Sequence, residues 1–115
     1  MSQSVKDRAA ELGERGTTTV DSGLSYLPGE PVTVLVHKRH MRCELSDEGR
    51  AIALAGRPPG WRAAAKRVVD EAALNIARDG RIFVLVNMGR DLDELAARVA
   101  ATSADVYDAV LDLQG

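Results

Sequence analysis

Apolar and polar residues alternate most regularly over residues 32–46, and the rest of the chain is organised around that stretch. Val32, Val34 and Val36 share one face of an extended segment, with Thr33, Leu35 and His37 on the other. Lys38-Arg39-His40 turns the chain; Met41, Cys43 and Leu45 then face one way and Arg42, Glu44 and Ser46 the other. A two-residue period of this kind describes a half-buried hairpin with one face on a core and one wetter face. Upstream, the β-branched residues 17–20 predict a strand that bends at Asp21-Ser22-Gly23 and resumes over 24–27. Pro28-Gly29-Glu30-Pro31 is the turn that follows. Downstream, Ile82, Phe83, Val84, Leu85 and Val86 are apolar in succession, which predicts a strand covered on both faces.

Helical periods account for the remainder. Val5, Ala9 and Leu12 predict a short N-terminal helix within residues 4–15. Ser46 or Asp47 is the expected N-cap of a helix through Ala51, Ile52, Leu54 and Ala55. Gly49 in its first turn marks a special dihedral or a close backbone approach. Trp61, Ala65, Val68, Ala72 and Ile76 predict one helix over 61–79. Asp91 caps a last helix running to Leu113, divided at Thr102-Ser103 with Ser103 recapping the second piece. The order is α-β-β-β-α-α-β-α-α. It describes one α+β domain over residues 1–115, with residues 1–16 a helical arm. A single layer of mostly antiparallel strands, a meander plus one later strand, packs against helices.

Composition narrows the chemistry. Aromatics make up 3% of the 115 residues, so the core is built from Val, Leu, Ile and Ala, and an extended platform for stacking bases is not expected. The net charge of −2 creates no global attraction for nucleic acid or an anionic membrane; any such contact needs a local patch. Cys43 is the sole cysteine, which excludes an intrachain disulfide and a multi-cysteine zinc site. Residues 1–16 lack the apolar core of a secretory signal and no run approaches a membrane span, so a cytoplasmic chain without membrane contact is expected.

The segment Glu44-Leu45-Ser46-Asp47-Glu48-Gly49, behind a valine-rich strand and ahead of a short helix, a long helix, an apolar strand and a terminal helix, carries a resemblance. It resembles a family of small prokaryotic domains of unknown function with a strand–Leu-(Ser/Thr)-Asp-(Asp/Glu)-Gly–helix signature. The resemblance implies bacterial or phage genomes, often near mobile elements, and assigns no activity. The basic His-Lys-Arg-His turn departs from that pattern, so nothing about the turn carries over.

Three sets of residues carry candidate chemistry. Glu44, Asp47 and Glu48, with Asp21 further off, are carboxylates of the kind that hold a divalent ion in a nuclease. The structural alternative is helix capping, and it is preferred. His37, Lys38, Arg39, His40 and Arg42 concentrate positive charge where a hairpin turns, a candidate contact for nucleic acid or another anionic partner. The alternative there is a solvated turn that discourages edge pairing, with Lys38 in solvent. Ile82, Phe83, Val84 and Leu85 are the candidate self-association surface, with a homodimer expected. Cys43 alternates with Met41 and Leu45 and reads as a buried thiol rather than the nucleophile of a Cys-His dyad. Phosphate-binding glycine loops, GxSxG and HExxH are absent, and no cofactor is indicated. The sequence therefore favours a small interaction module, self-associating and open to a protein partner, over an enzyme.

Overall fold

The structure, a computed structural model, describes residues 4–114. The elements run α1 (Val5–Ala10), β1 (Arg15–Leu27), β2 (Glu30–Arg39), β3 (Arg42–Ser46), α2 (Arg50–Ala55), α3 (Trp61–Glu71), β4 (Asn75–Ile76), β5 (Ile82–Asn87) and α4 (Leu92–Asp112). The five strands form one sheet in the order β1-β2-β3-β5-β4, antiparallel at every pairing. The fold is thus α+β with a single sheet, a β1–β2–β3 meander beside which β5 lies and β4 forms the far edge. No helix among the described residues is long and apolar enough to cross a membrane.

Register explains which face is the core. Val20 pairs with Val34, Val36 with Leu45, and Leu45 with Val84, so these side chains stand on one side of the sheet. Val34, Val36, Leu45 and Ile82 are fully buried there. α4 lies across that side against β1, β2, β3 and β5, and it also packs on all three other helices. Its stripe of Leu92, Leu95, Val99, Val106 and Val110 is buried along its whole length. Each such residue contributes about 1.5–3 kcal/mol by leaving water.

The N-terminal arm is shorter than its helical period implies. Ser4 caps α1 by accepting from the Asp7 amide at 3.1 Å, the helix stops at Ala10, and β1 already begins at Arg15. The first three residues of the arm lie outside the described residues. Val5 and Ala9 are buried, and the Val5 amide donates to Asp93 Oδ1 at 2.8 Å, which fastens the arm to the start of α4. The bend at residues 21–23 is a bulge, not a break. Ser22 Oγ donates to the Val32 carbonyl at 2.6 Å and the Gly23 amide to Asp21 Oδ1 at 2.9 Å, and the register slips before Ser25.

Three elements differ from their periodicity. The helix expected over 61–79 ends at Glu71. Ala73 takes φ 60, the Ala73 amide donates to the Asp70 carbonyl and the Leu74 amide to the Val69 carbonyl, a left-handed stop of Schellman type. Asn75 and Ile76 then pair with Phe83 and Ile82, so hairpin pairing overrides a helical pattern that Ile76 alone extended. The last helix is unbroken: Thr102 and Ser103 are buried in mid-α4. Finally, β5 is covered on one face only, because Leu85 is 60% exposed.

Gly80 shows the tightness of the β4–β5 turn. Its φ is +98, and a Cβ there would sit 2.9 Å from Ile52 Cγ1, inside the core contact between the turn and α2. Ala73 adopts a comparable left-handed backbone in the open, carrying a Cβ that glycine lacks. Ala73→Gly is expected to stabilise the protein by about 1 kcal/mol, read as a raised urea midpoint with unchanged slope.

Candidate functional site

The helices cover one side of the sheet and leave the other open, and register assigns the residues of the open side in rows. Arg15 pairs with Arg39, Arg39 with Arg42, and Arg42 with Asn87. Three arginines and an asparagine therefore stand side by side across four strands, Arg15 and Arg42 about 10 Å apart at the backbone. The next row is Thr17, His37, Glu44 and Leu85; the third, Thr19, Leu35, Ser46 and Phe83, is largely covered, with Ser46 buried and Leu35 and Phe83 half-buried. Arg15, Arg39 and Arg42 are exposed, and among the described residues none of them has an ion pair. Arg81 serves the same face differently. Its guanidinium lies 4.8 Å from the Phe83 ring centre and donates to Glu44 Oε2 at 2.8 Å, which neutralises that carboxylate.

The hairpin tip is not a loose projection. His40 holds φ 58, its amide donates to the Glu14 carbonyl, and the Met88 amide donates to the Met41 carbonyl at 2.8 Å. The turn is thus tied to the start of β1 on one side and the end of β5 on the other. Because β1 and β4 are the sheet edges, positive charge at this central tip guards no edge. Like charges directly opposite each other in a ladder are destabilising, so the arginine row works against folding, and among the described residues no ion pair offsets it. A shallow depression of about 690 Å3 opens at this end of the face, bounded by Arg39, His40 and Arg42 with His37, Met41 and Leu85.

Of the basic residues picked out from the sequence, His37, Arg39 and Arg42 reach this face and His40 sits in the turn. Lys38 does not join them. It is 8% exposed on the core side, in the alternation of Val34 and Val36, so the expectation of a solvated Lys38 is corrected by strand parity. Met41 is likewise displaced from the core face: it lies in the turn, 63% exposed. Cys43 is buried opposite Lys38, its Sγ 3.2 Å from Met88 Sδ. Burial pushes its thiol up, with the Lys38 ammonium pulling the other way. His37 is on the reverse side of the sheet, so no Cys43–His37 dyad exists. Of the self-association candidates, Ile82 and Val84 point into the core, while Phe83 and Leu85 point outward.

The carboxylates separate in the same way. Glu44 faces Arg81 on the open side, Glu48 is exposed on a left-handed backbone, and Asp47 is 2% exposed in the interior. Among the described residues no group of three His, Cys, Asp or Glu side chains could hold a metal ion. Nor does Asp47 or Ser46 cap α2; the N-cap is Gly49, with φ 74 and no side-chain bond. The glycine is required by that dihedral, since an added Cβ would meet only ordinary contacts.

Asp47 instead joins three elements. Its Oδ1 accepts from the Gly49 amide at 2.8 Å and the Ile82 amide at 2.9 Å, and Oδ2 accepts from Ser103 Oγ at 2.7 Å. Its own amide donates to the Ile82 carbonyl at 3.1 Å. Tyr26 OH lies 2.6 Å from Ser103 Oγ; because the serine proton goes to Asp47, the tyrosine is the donor. The chain Tyr26–Ser103–Asp47 thus runs from β1 through α4 to the exit of β3. Desolvation raises the Asp47 carboxyl, and the bonds from Ser103, Ile82 and Gly49, joined by the Ala51 amide in the first turn of α2, draw it partly back. Ser103 and Tyr26 had no place in the sequence-derived site. The available signal was Ser103's position four residues after Val99 on the apolar stripe of α4, where a polar group demands a buried partner.

Asp47→Ala strands two amides and a hydroxyl, and a loss of about 3 kcal/mol in urea unfolding is expected. Asp47→Asn is milder, since the amide oxygen keeps both backbone bonds and Nδ2 can donate to Ser103. Tyr26 gives a pH test. Burial, joined by the Asp47 charge, pushes its hydroxyl up to about 12 against the bond to Ser103, whereas an unfolded chain ionises it near 10. A phenol raised on folding contributes stability that is complete below about pH 10 and lost as pH climbs through about 12. Urea midpoints measured from pH 9 upward should fall across that window, and Tyr26→Phe should flatten the fall.

Set against known proteins, the chain stands on its own geometry: no family model, no curated protein and no solved structure matches it.

Proposed function

We propose that this protein is a non-enzymatic binding module whose open sheet face contacts the phosphates of a nucleic acid. The observation that carries the reading is the register-aligned row of Arg15, Arg39 and Arg42, exposed and without ion pairs among the described residues. Guanidinium groups bind phosphate oxygens in pairs of parallel hydrogen bonds, and an extended polyanion matches a row better than a single anion does. A bound phosphate chain also relieves the repulsion that the row imposes on the sheet. The chain's overall charge of −2 makes this a local contact, not general attraction to polyanions.

Self-association through residues 82–85 has less support, since only Phe83 and Leu85 face outward and Arg81 occupies the Phe83 ring. A nuclease built on Glu44, Asp47 and Glu48 has less still, because the three carboxylates point to an ion pair, the core and solvent respectively. The setting we propose is the cytoplasm, where nucleic acid is at hand and a lone cysteine stays reduced.

Binding of labelled DNA followed by fluorescence anisotropy over a salt series tests the reading. Affinity should fall steeply with salt, by about 0.7–0.9 logarithmic units per logarithmic unit of salt for each phosphate neutralised. Replacing Arg15, Arg39 and Arg42 with Ser should reduce that slope by about two to three, leaving the circular dichroism spectrum unchanged. A flat salt response overturns the reading.

A further inference from the structure

The arginine row states which charge the face takes; what lies beside the row states the form of the nucleic acid. We infer that the ligand is single-stranded, with its phosphates on Arg39 and Arg42 and an unpaired base seated in the depression next to them. This rests on the phosphate-binding reading above and deepens it.

The depression of about 690 Å3 has a mixed lining. Its rim carries the guanidinium groups of Arg39 and Arg42, the imidazoles of His37 and His40 and the ion-paired Glu44, while Leu85 and Met41, 60% and 63% exposed, give it apolar surface. A duplex offers a protein its phosphates, sugars and groove edges, and keeps the planes of its bases stacked inside. Against a flat sheet face a duplex would meet the arginines and leave Leu85 and Met41 uncovered, with no apolar partner. A single strand presents base planes, which settle on apolar side chains, imidazoles and guanidinium planes, all present in this one depression.

The spacing agrees. Along β2 and β3 the arginine row and the His37–Leu85 row are two residues apart, about 6.6 Å, the reach of one nucleotide from its phosphate towards its base. The polar groups on the same rows suit a base edge without selecting one base. Asn87 Oδ1 is engaged by the Gly89 amide, which directs its Nδ2 donors elsewhere. Glu44 keeps Oε1 outside its bond to Arg81, so its negative charge is already balanced while an acceptor is left over. The scarcity of aromatic residues fits a site for one or two bases and not a long stacked platform.

The test uses the full chain and three labelled or competing probes at one low salt concentration: a mixed-sequence single-stranded DNA, the same sequence as a duplex, and inorganic polyphosphate. The single strand should bind about tenfold or more tightly than the duplex, and Leu85→Ser should weaken the single strand by about tenfold while leaving duplex and polyphosphate unchanged. Because Leu85 is largely outside the core, the variant should keep its fold; Met41→Ser, in the exposed turn, repeats the measurement independently. Equal affinity for duplex or polyphosphate, or no effect of both substitutions, overturns the single-strand inference and leaves phosphate binding standing. Failure of all three probes to bind overturns both readings.

Discussion

One buried carboxylate holds the layers of this molecule in place. Asp47 sits at the point where the meander leaves the sheet, and through its two oxygens it engages the first amide of β5 and the middle of α4. Ser103 passes the connection on to Tyr26 near the end of β1. The exit of the hairpin, the late strand, the central helix and the first strand therefore share one chain of hydrogen bonds. Burying a carboxylate is expensive unless every oxygen is occupied, and here both are. The arrangement is specific in a way that apolar packing is not: a slip of β5 by one residue would take the Ile82 amide away from Oδ1, besides turning Ile82 and Val84 to solvent. Register on the inner face and register on the outer face are the same register, so the carboxylate that pins β5 also fixes Asn87 at the end of the arginine row.

The strands were legible in the sequence because their two-residue period is strong. Val32, Val34, Val36 and Leu45 declared the core face, and that parity also determines Lys38: it belongs with the valines, and charge alone argued for solvent. Element ends were less legible. Nothing local marks Ala73 as a left-handed stop, because alanine is the best helix former and only the pairing of Asn75 and Ile76 with β5 removes it from the helix. Ser103 has the local chemistry of a cap, which hid its role as a polar link inside a continuous helix. The same ambiguity affected Asp47: a short acid before a glycine and a helix is the pattern of an N-cap, and the distinction depends on Ile82 and Ser103, dozens of residues away.

The candidate site was half legible for a related reason. Arg39, Arg42 and His37 come from one hairpin and were visible as a cluster. Arg15 and Asn87 join them only through pairing with β1 and β5, which no local pattern encodes. The doubly apolar look of residues 82–86 was misleading in an informative way. Ile82 and Val84 complete the core, whereas Phe83 and Leu85 place apolar surface on an open face that also holds exposed arginines without ion pairs among the described residues. Apolar side chains beside exposed arginines do little for stability, and each alone is unremarkable on a protein surface. Their combination on one face, next to a depression, sets this side of the sheet apart.

The central position of the tip gives that combination its meaning. Positive charge on an edge strand has a protective use, since it discourages pairing with a second sheet. Here β1 and β5 flank the hairpin on both sides, so Arg39 and Arg42 protect no edge; Arg15, on the edge strand β1, is the one member of the row placed where charge has that use. Stability does not call for the row either, because repulsion between neighbouring guanidinium groups opposes it and the Glu44 carboxylate is drawn away by Arg81. The core chemistry, by contrast, is complete without any of these residues: Asp47, Ser103 and Tyr26 satisfy one another, and the valines close on α4. Arg39 and Arg42 are thus held at the centre of the sheet with no packing role, and among the described residues no ion pair neutralises them. An anion laid along the row would relieve that repulsion, and this is the support the row lends to the phosphate-binding proposal.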